Sequence, residues 1–205
     1  MILEEKIYSN AITGEEPEVL HHIQNKENSI AIYERSVDHL QGELSDAADL
    51  DFTFKTSGDL ESVSRDLNDF FKEKLPNRPC LKEDVLSQIR LFLNITKEDS
   101  CRLLFSTVSS NMCRKFHTDI NDLRLLCTYQ GQGTLWVCES EESRVSDPDR
   151  IHRDQIHQVD TGDVLILKGA LHPEGNPILH RSPTIEKMKE KRLLLRIDTN
   201  NVLQF

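Results

Sequence analysis

The sequence has no run near the ~18 consecutive apolar residues of a membrane-spanning helix. Its opening, Met1-Ile2-Leu3-Glu4-Glu5-Lys6, is charged at once and lacks the apolar stretch of a secretory signal. It also lacks a block of Lys and Arg. With a net charge of -10 and the acidic residues dispersed, neither a nucleic acid nor an anionic membrane is an expected partner. Internal repeats and low-complexity tracts are missing, which excludes solenoids and disordered linkers. Cysteine is sparse and unpatterned: Cys80, Cys101, Cys113, Cys127 and Cys138 are odd in number and form no C-x-x-C pair. That excludes the usual structural zinc spacing and a disulfide framework, and it predicts free thiols in a reducing cytoplasm. Cys127 and Cys138 lie in apolar runs and are expected in the core.

What is present is a globular composition. With 205 residues, 37 % apolar and 29 % charged, the chain is long enough for one domain with a substantial core. Residues 1–26 read as an irregular lead with a helical patch at Glu16–Ile23. A strand is expected at Ser29–Tyr33, a helix from Val37 to Leu50, and a strand or extended linker at Asp51–Thr56. Leu60, Val63, Leu67, Phe70 and Phe71 recur at helical spacing, with Ser57 or Asp59 as cap and Pro76 as stop. Leu81, Val85, Ile89 and Phe92 mark a second helix, so the pair forms a hairpin on one face of a sheet. From Cys101 the periodicity changes to that of strands. These are Cys101–Val108, Leu123–Tyr129, Thr134–Val137, Gln155–Val159, Val164–Leu167, Ile178–Ser182 and Arg192–Asp198, separated by turns such as Gly131-Gln132-Gly133 and by a polar loop at 139–154. About seven or eight strands with such punctuation predict a sandwich or barrel of jelly-roll type. The expected division is a mostly helical region over 1–100, packed on a barrel over 101–205.

Two stretches stand out within that frame. In Phe116-His117-Thr118-Asp119, the imidazole and the carboxylate are two residues apart. In extended backbone they point to the same side. A third ligand from a neighbouring strand completes two histidines and a carboxylate, an arrangement that leaves positions of an octahedral metal open. His180, in Leu179-His180-Arg181-Ser182-Pro183, is the candidate. If such a metal takes a 2-oxo acid, the far carboxylate needs a cation, and a guanidinium holds it with two parallel bonds. Arg192 and Arg196 alternate with Leu193, Leu195 and Ile197 and share one face of the last strand. Arg192 is preferred and Arg196 is second. Arg124 and Tyr129 lie on the strand after the His-x-Asp pair with opposite parity, so only one of them can face the site. His172 sits in a Gly/Pro-rich loop, and His21, His22, His152 and His157 are expected at the surface.

The run Cys113–Asp119, continued by Leu123–Tyr129 and Gly131–Thr134, resembles a bacterial family catalogued as domain of unknown function 1826. Gly162-Asp163-Val164, Leu167-Lys168-Gly169, His180–Pro183 and Arg192–Leu195 resemble its second half. Members of that family are described beside metal-homeostasis genes, which implies metal biology without an activity. The same segment is more distantly similar to the double-stranded β-helix of Fe(II)/2-oxoglutarate oxygenases. That resemblance implies iron on His117, Asp119 and His180, and 2-oxoglutarate on Arg192, although the distal histidine and the arginine are further apart here than is usual. The expectation is therefore an α+β, cupin-like jelly roll with helices on one face, acting as a 2-oxoglutarate-dependent dioxygenase on an unknown small-molecule or protein substrate. Two other readings use the same residues. One is a cupin-like metal-binding protein of zinc homeostasis without oxygenase activity. The other is a metal-free interaction module in which His117 and Asp119 only hydrogen-bond.

Overall fold

Strand β10 (Arg192–Asp198) lies between β4 (Ser100–Val108) and β5 (Leu123–Gln130), antiparallel to both. In the computed structural model, which describes residues 10–45, 47, 49–138 and 151–200, these strands form the middle of a seven-stranded sheet. The sheet is completed by β1 (Ala11–Gly14), β2 (Ile30–Tyr33), β3 (Thr53–Asp59) and β8 (Val164–Lys168), in the order β1-β2-β8-β5-β10-β4-β3. A smaller sheet has β6 (Leu135–Val137) between β7 (Ile156–Gln158) and β9 (His180–Arg181).

The alternation on β5 and β10 decides what each face of the large sheet meets. Leu123, Leu125, Cys127 and Tyr129, with Leu193, Leu195 and Ile197, join one apolar cluster. Two helices cover that face: α2 (Leu60–Lys74) and α3 (Pro79–Thr96) follow α1 (Gln41–Leu44) and contribute Val63, Leu67, Phe71, Val85, Ile89 and Phe92. Asp59 caps α2 by accepting from the Ser62 amide, and Pro79 fits the first turn of α3 because no partner is needed for its missing N–H. The other parity faces the small sheet. Leu126, Leu165, Leu167 and Leu194 pack there against Trp136, Ile178 and Ile185 in a second cluster. The two layers of side chains are the physical origin of the two-period pattern read along β5, since successive residues point to opposite faces.

Several boundaries differ from the sequence expectation. The helix predicted over 37–50 is a 3-10 turn at Asp38–Leu40 followed by the four residues of α1. Leu40, Leu44 and Ala47 are buried, so the apolar spacing reflects contact with the core rather than a long helix. The lead contains a strand, β1, whose four residues are too few to show a period. Residue 100 is also no break in the structure. Strands β1, β2 and β3, from the part expected to be mostly helical, are integral to the large sheet, with β2 paired to β8 and β3 to β4. Most of the polar loop expected at 139–154 lies outside the described residues.

On the helix-facing side, Arg35 forms two bonds to Asp84 (2.7 and 3.0 Å), and the Tyr129 hydroxyl donates to the same carboxylate at 2.5 Å. Both charged side chains are about one-tenth exposed. Removing one partner strands a buried charge, which costs about 3–5 kcal/mol. Asp84→Ala is therefore expected to lower the unfolding free energy by that amount in urea titrations. Lys74→Ala, which removes an exposed pair with Glu73, is expected to change it by less than about 1 kcal/mol.

Candidate metal centre

His117 extends the small sheet by one residue. Its amide donates to the His180 carbonyl at 3.1 Å, and the His180 amide donates back at 3.0 Å. This two-bond bridge places the imidazoles side by side, with ring centroids 4.7 Å apart. Asp119, two residues on, is held by the donation of the Ala170 amide to its carbonyl. The loop that supplies this bond packs tightly against 119–122: a Cβ at Gly169 would lie 2.1 Å from Asn121 Oδ1 and 2.2 Å from the Asn121 carbonyl. Only glycine permits that approach.

The side chains of His117, Asp119 and His180 converge, each offering one ligand atom within 4.8 Å of the others. His117 Nδ1 lies 3.1 Å from the Lys115 carbonyl, and His180 Nδ1 lies 3.2 Å from the Ile178 carbonyl. A carbonyl only accepts, so each Nδ1 carries the proton, and the lone pair of the neutral ring is on Nε2. Both Nε2 atoms face Asp119, at 3.6 Å for His117 and 3.3 Å for His180. Two lone pairs and a carboxylate aimed at one another repel unless a cation or a proton lies between them. Ligands about 2.1 Å from one ion at right angles are themselves about 3 Å apart, close to the separations found. The backbone carbonyls behind the rings are the outer partners that orient metal-binding imidazoles. The donor set and its geometry fit a divalent metal.

A proton in place of that cation puts a donor N–H on Nε2, aimed at Asp119. Burial opposes ionisation of Asp119, but hydrogen bonds from His117 and His180 and the adjacent charges of His180 and Arg124 outweigh it and hold this carboxyl well below the usual carboxylate range. The hydrogen bond to Asp119 raises the His117 imidazole above its ordinary value, against partial burial.

Three arginines of the large sheet face the triad across the cleft. Arg124 Nη1 donates to Asp119, and its Nε donates to Asp198 at 2.5 Å. Asp198 also accepts from Asn121 at 3.0 Å and lies 3.1 Å from Arg196 Nε, in an ion pair without hydrogen-bond alignment. Arg192 is different. It is 1 % exposed and donates one bond, to Thr128 Oγ1 at 2.9 Å, while its Nε has no acceptor and no carboxylate pairs with it among the described residues. Burial alone brings its guanidinium down to about 10. Arg192, Arg196 and Arg124 line the cleft with His117 and His180. Tyr129, the remaining candidate, does not reach it. It lies on the helix side of β5, bonded to Asp84, because its parity is opposite to that of Arg124. His172 lies 3.8 Å from Asp122 and bonds within its own loop. Cys113 is on the wall of the cleft and is not one of the converging ligands. Sequence reasoning missed Asp198, although it continues the parity of Arg192, Leu194 and Arg196.

The fold and site together define a candidate metal centre between two sheets. The structure is similar to the dioxygenase for auxin oxidation from rice, at 15 % identity and a TM-score of 0.54, covering 92 % of this chain and 82 % of that one. It is also similar to dioxygenase for auxin oxidation 1 from Arabidopsis thaliana in its binary complex with 2-oxoglutarate, at 11 % identity and a TM-score of 0.55, covering 95 % of each chain. At such identities the likeness is one of fold. No curated protein matches the sequence. The chain belongs to the family described as "Protein of unknown function (DUF1826)", whose match spans residues 14–198. Among the described residues, no helix is long and apolar enough to cross a membrane.

A metal that binds only the folded protein stabilises it by about 2.7 kcal/mol at one hundred times its Kd. Anaerobic Fe(II) at that concentration is expected to raise the unfolding free energy of the wild type by this amount. His180→Ala is expected to abolish the rise, which chemical denaturation with and without metal would measure.

Proposed function

We propose that the protein is a double-stranded β-helix oxygenase that uses Fe(II) and 2-oxoglutarate to hydroxylate a substrate. The observation that carries this reading is the pairing of two unsatisfied groups in one cleft. Three ligand atoms converge on one point, and the buried guanidinium across from them has no carboxylate among the described residues. A metal answers the first and an anionic co-substrate that binds that metal answers the second. The dioxygenase architecture supports the reading.

In this scheme His117, Asp119 and His180 hold the metal, and the bound metal with 2-oxoglutarate and O2 supplies the oxidant that converts a C–H to C–OH, with succinate and CO2 as the other products. The chain's own contribution is binding, orientation and exclusion of water. Arg192 takes the far carboxylate of 2-oxoglutarate, and Thr128 fixes the guanidinium through its 2.9 Å bond. Arg124 bonds to both Asp119 and Asp198 and so ties the ligand carboxylate to β10. Leu126 and Leu194 give the cleft apolar walls. The cleft is small and is open to solvent at its rim. Met112, 45 % exposed, and Arg181 are at hand there. Zinc would occupy the same ligands without supporting the oxidation. Such a site suits a reducing compartment, the cytoplasm, in which Fe(II) and the five free cysteines persist.

The test is the metal content and visible spectrum of anaerobically purified protein, with and without 2-oxoglutarate. The expected result is near-stoichiometric iron, lost on His117→Ala/His180→Ala, and an absorption band on adding 2-oxoglutarate. Arg192→Met is expected to weaken 2-oxoglutarate roughly 10- to 100-fold, the worth of one or two charge-assisted hydrogen bonds. Retained metal with no response to 2-oxoglutarate would instead make this a metal-binding protein of cupin type. No metal under any condition would leave an interaction module.

A further inference from the structure

The cleft opens, past Arg196, onto a second depression of about 340 Å³ on the same face of the large sheet. Two cross-strand rows build it. One runs Ser57–Arg102–Asp198 and the other Lys55–Leu104–Arg196, across β3, β4 and β10. Neighbouring strands lie about 4.8 Å apart, so the three cations Lys55, Arg102 and Arg196 project from a patch about 10 Å wide. They are poorly matched by anions. Asp198 is the one carboxylate among the described residues that line the depression; it pairs with Arg196 at 3.1 Å and also accepts from Arg124 and Asn121, so it leaves Lys55 and Arg102 without an anion of their own. Arg102 reaches only the Thr199 carbonyl, at 3.2 and 3.4 Å, and Lys55 has no ion pair among the described residues. A surplus of positive charge here is unexpected in a chain of net charge -10. Leu104 in the depression and Leu194 in the metal cleft both lie on this face, on neighbouring strands.

We propose that this depression is the subsite for the primary substrate, and that the substrate is a small organic anion with an apolar body. Its carboxylate or phosphate is held by Arg196, Arg102 and Lys55, its apolar part lies over Leu104 and Leu194, and its reacting carbon points to the triad. The two arginines of β10 then have separate tasks. Arg192, buried and without a carboxylate among the described residues, takes the co-substrate. Arg196, about one-third exposed and common to both depressions, takes the substrate. The assignment of a substrate rests on the oxygenase reading, but the anion subsite can be tested without it.

The experiment titrates metal-free, isotope-labelled full-length protein with octanoate, octyl phosphate and octanol, following backbone amide signals by NMR. Octanoate or octyl phosphate is expected to shift the signals of Lys55, Arg102, Leu104 and Arg196, and the tighter of the two identifies the head group. Octanol, with the same apolar chain and no charge, is expected to leave them in place. Lys55→Gln/Arg102→Gln is expected to weaken the anion at least about tenfold, whereas Lys74→Gln, on the exposed side of α2, leaves its affinity unchanged. Shifts confined to other residues, equal binding of octanol, or unchanged affinity in Lys55→Gln and in the double variant would overturn the proposal. Failure of the oxygenase reading shows elsewhere, as a missing 2-oxoglutarate absorption band in the Fe(II) protein while the anion map stands.

Discussion

A buried carboxylate held from two sides governs the site. Asp119 receives Arg124 from the large sheet and faces His117 and His180 on the small one. Arg124 in turn reaches Asp198 on β10. This chain of charges joins the metal-ligand loop to the central strands. Isolated, each of these groups would be costly to bury; paired and hydrogen-bonded, they are tolerated and fix the relative position of the two sheets. Asp119 and Asp198 balance Arg124 and Arg196. Arg192 has no carboxylate among the described residues and lines the cleft with His117 and His180.

The two faces of the large sheet divide structure from chemistry. The helix side is mostly apolar, and its buried charges are joined in the Arg35–Asp84–Tyr129 group. The other side mixes leucines with arginines at alternate positions of the same strands. Because β5 and β10 are both central, their side chains cannot turn away from the face to which the pleat assigns them. Each arginine is held in place by the same register that builds the core behind it. Precision in the site is therefore a by-product of packing against α2 and α3.

The difference between Arg192 and Arg196 comes from position along one strand. Arg192 begins β10, opposite Val108 and beside the Gly131 turn, where the small sheet covers it. Arg196 lies four residues on, opposite Leu104, where that cover ends. The same side chain is thus nearly waterless at one position and partly solvated at the other. The local surroundings suit the first to a fixed carboxylate and the second to a variable ligand.

Much of this was legible in the sequence because it rests on local periodicity. Parity placed Arg192 and Arg196 together and required Arg124 and Tyr129 to face opposite ways. Residue spacing put His117 and Asp119 on one side of the chain. The caps and breaks of α2 and α3 follow from Asp59, Pro76 and Pro79. Other features depend on which strands become neighbours, and no local pattern encodes that. Strand β1 is four residues long and takes its form from β2. The predicted helix after Val37 stops at Leu44 because burial, rather than helical spacing, selects its apolar residues. Which of Arg124 and Tyr129 faces the triad was decided by the helices, which claim the apolar side of β5. The histidine bridge, the reach of Arg124 to Asp198 and the bond of Arg192 to Thr128 join residues 63 to 74 positions apart. The sequence determined which side chains could do the chemistry. Only the tertiary structure decided which of them meet, because strand pairing over such separations is set by the packing of the whole sheet.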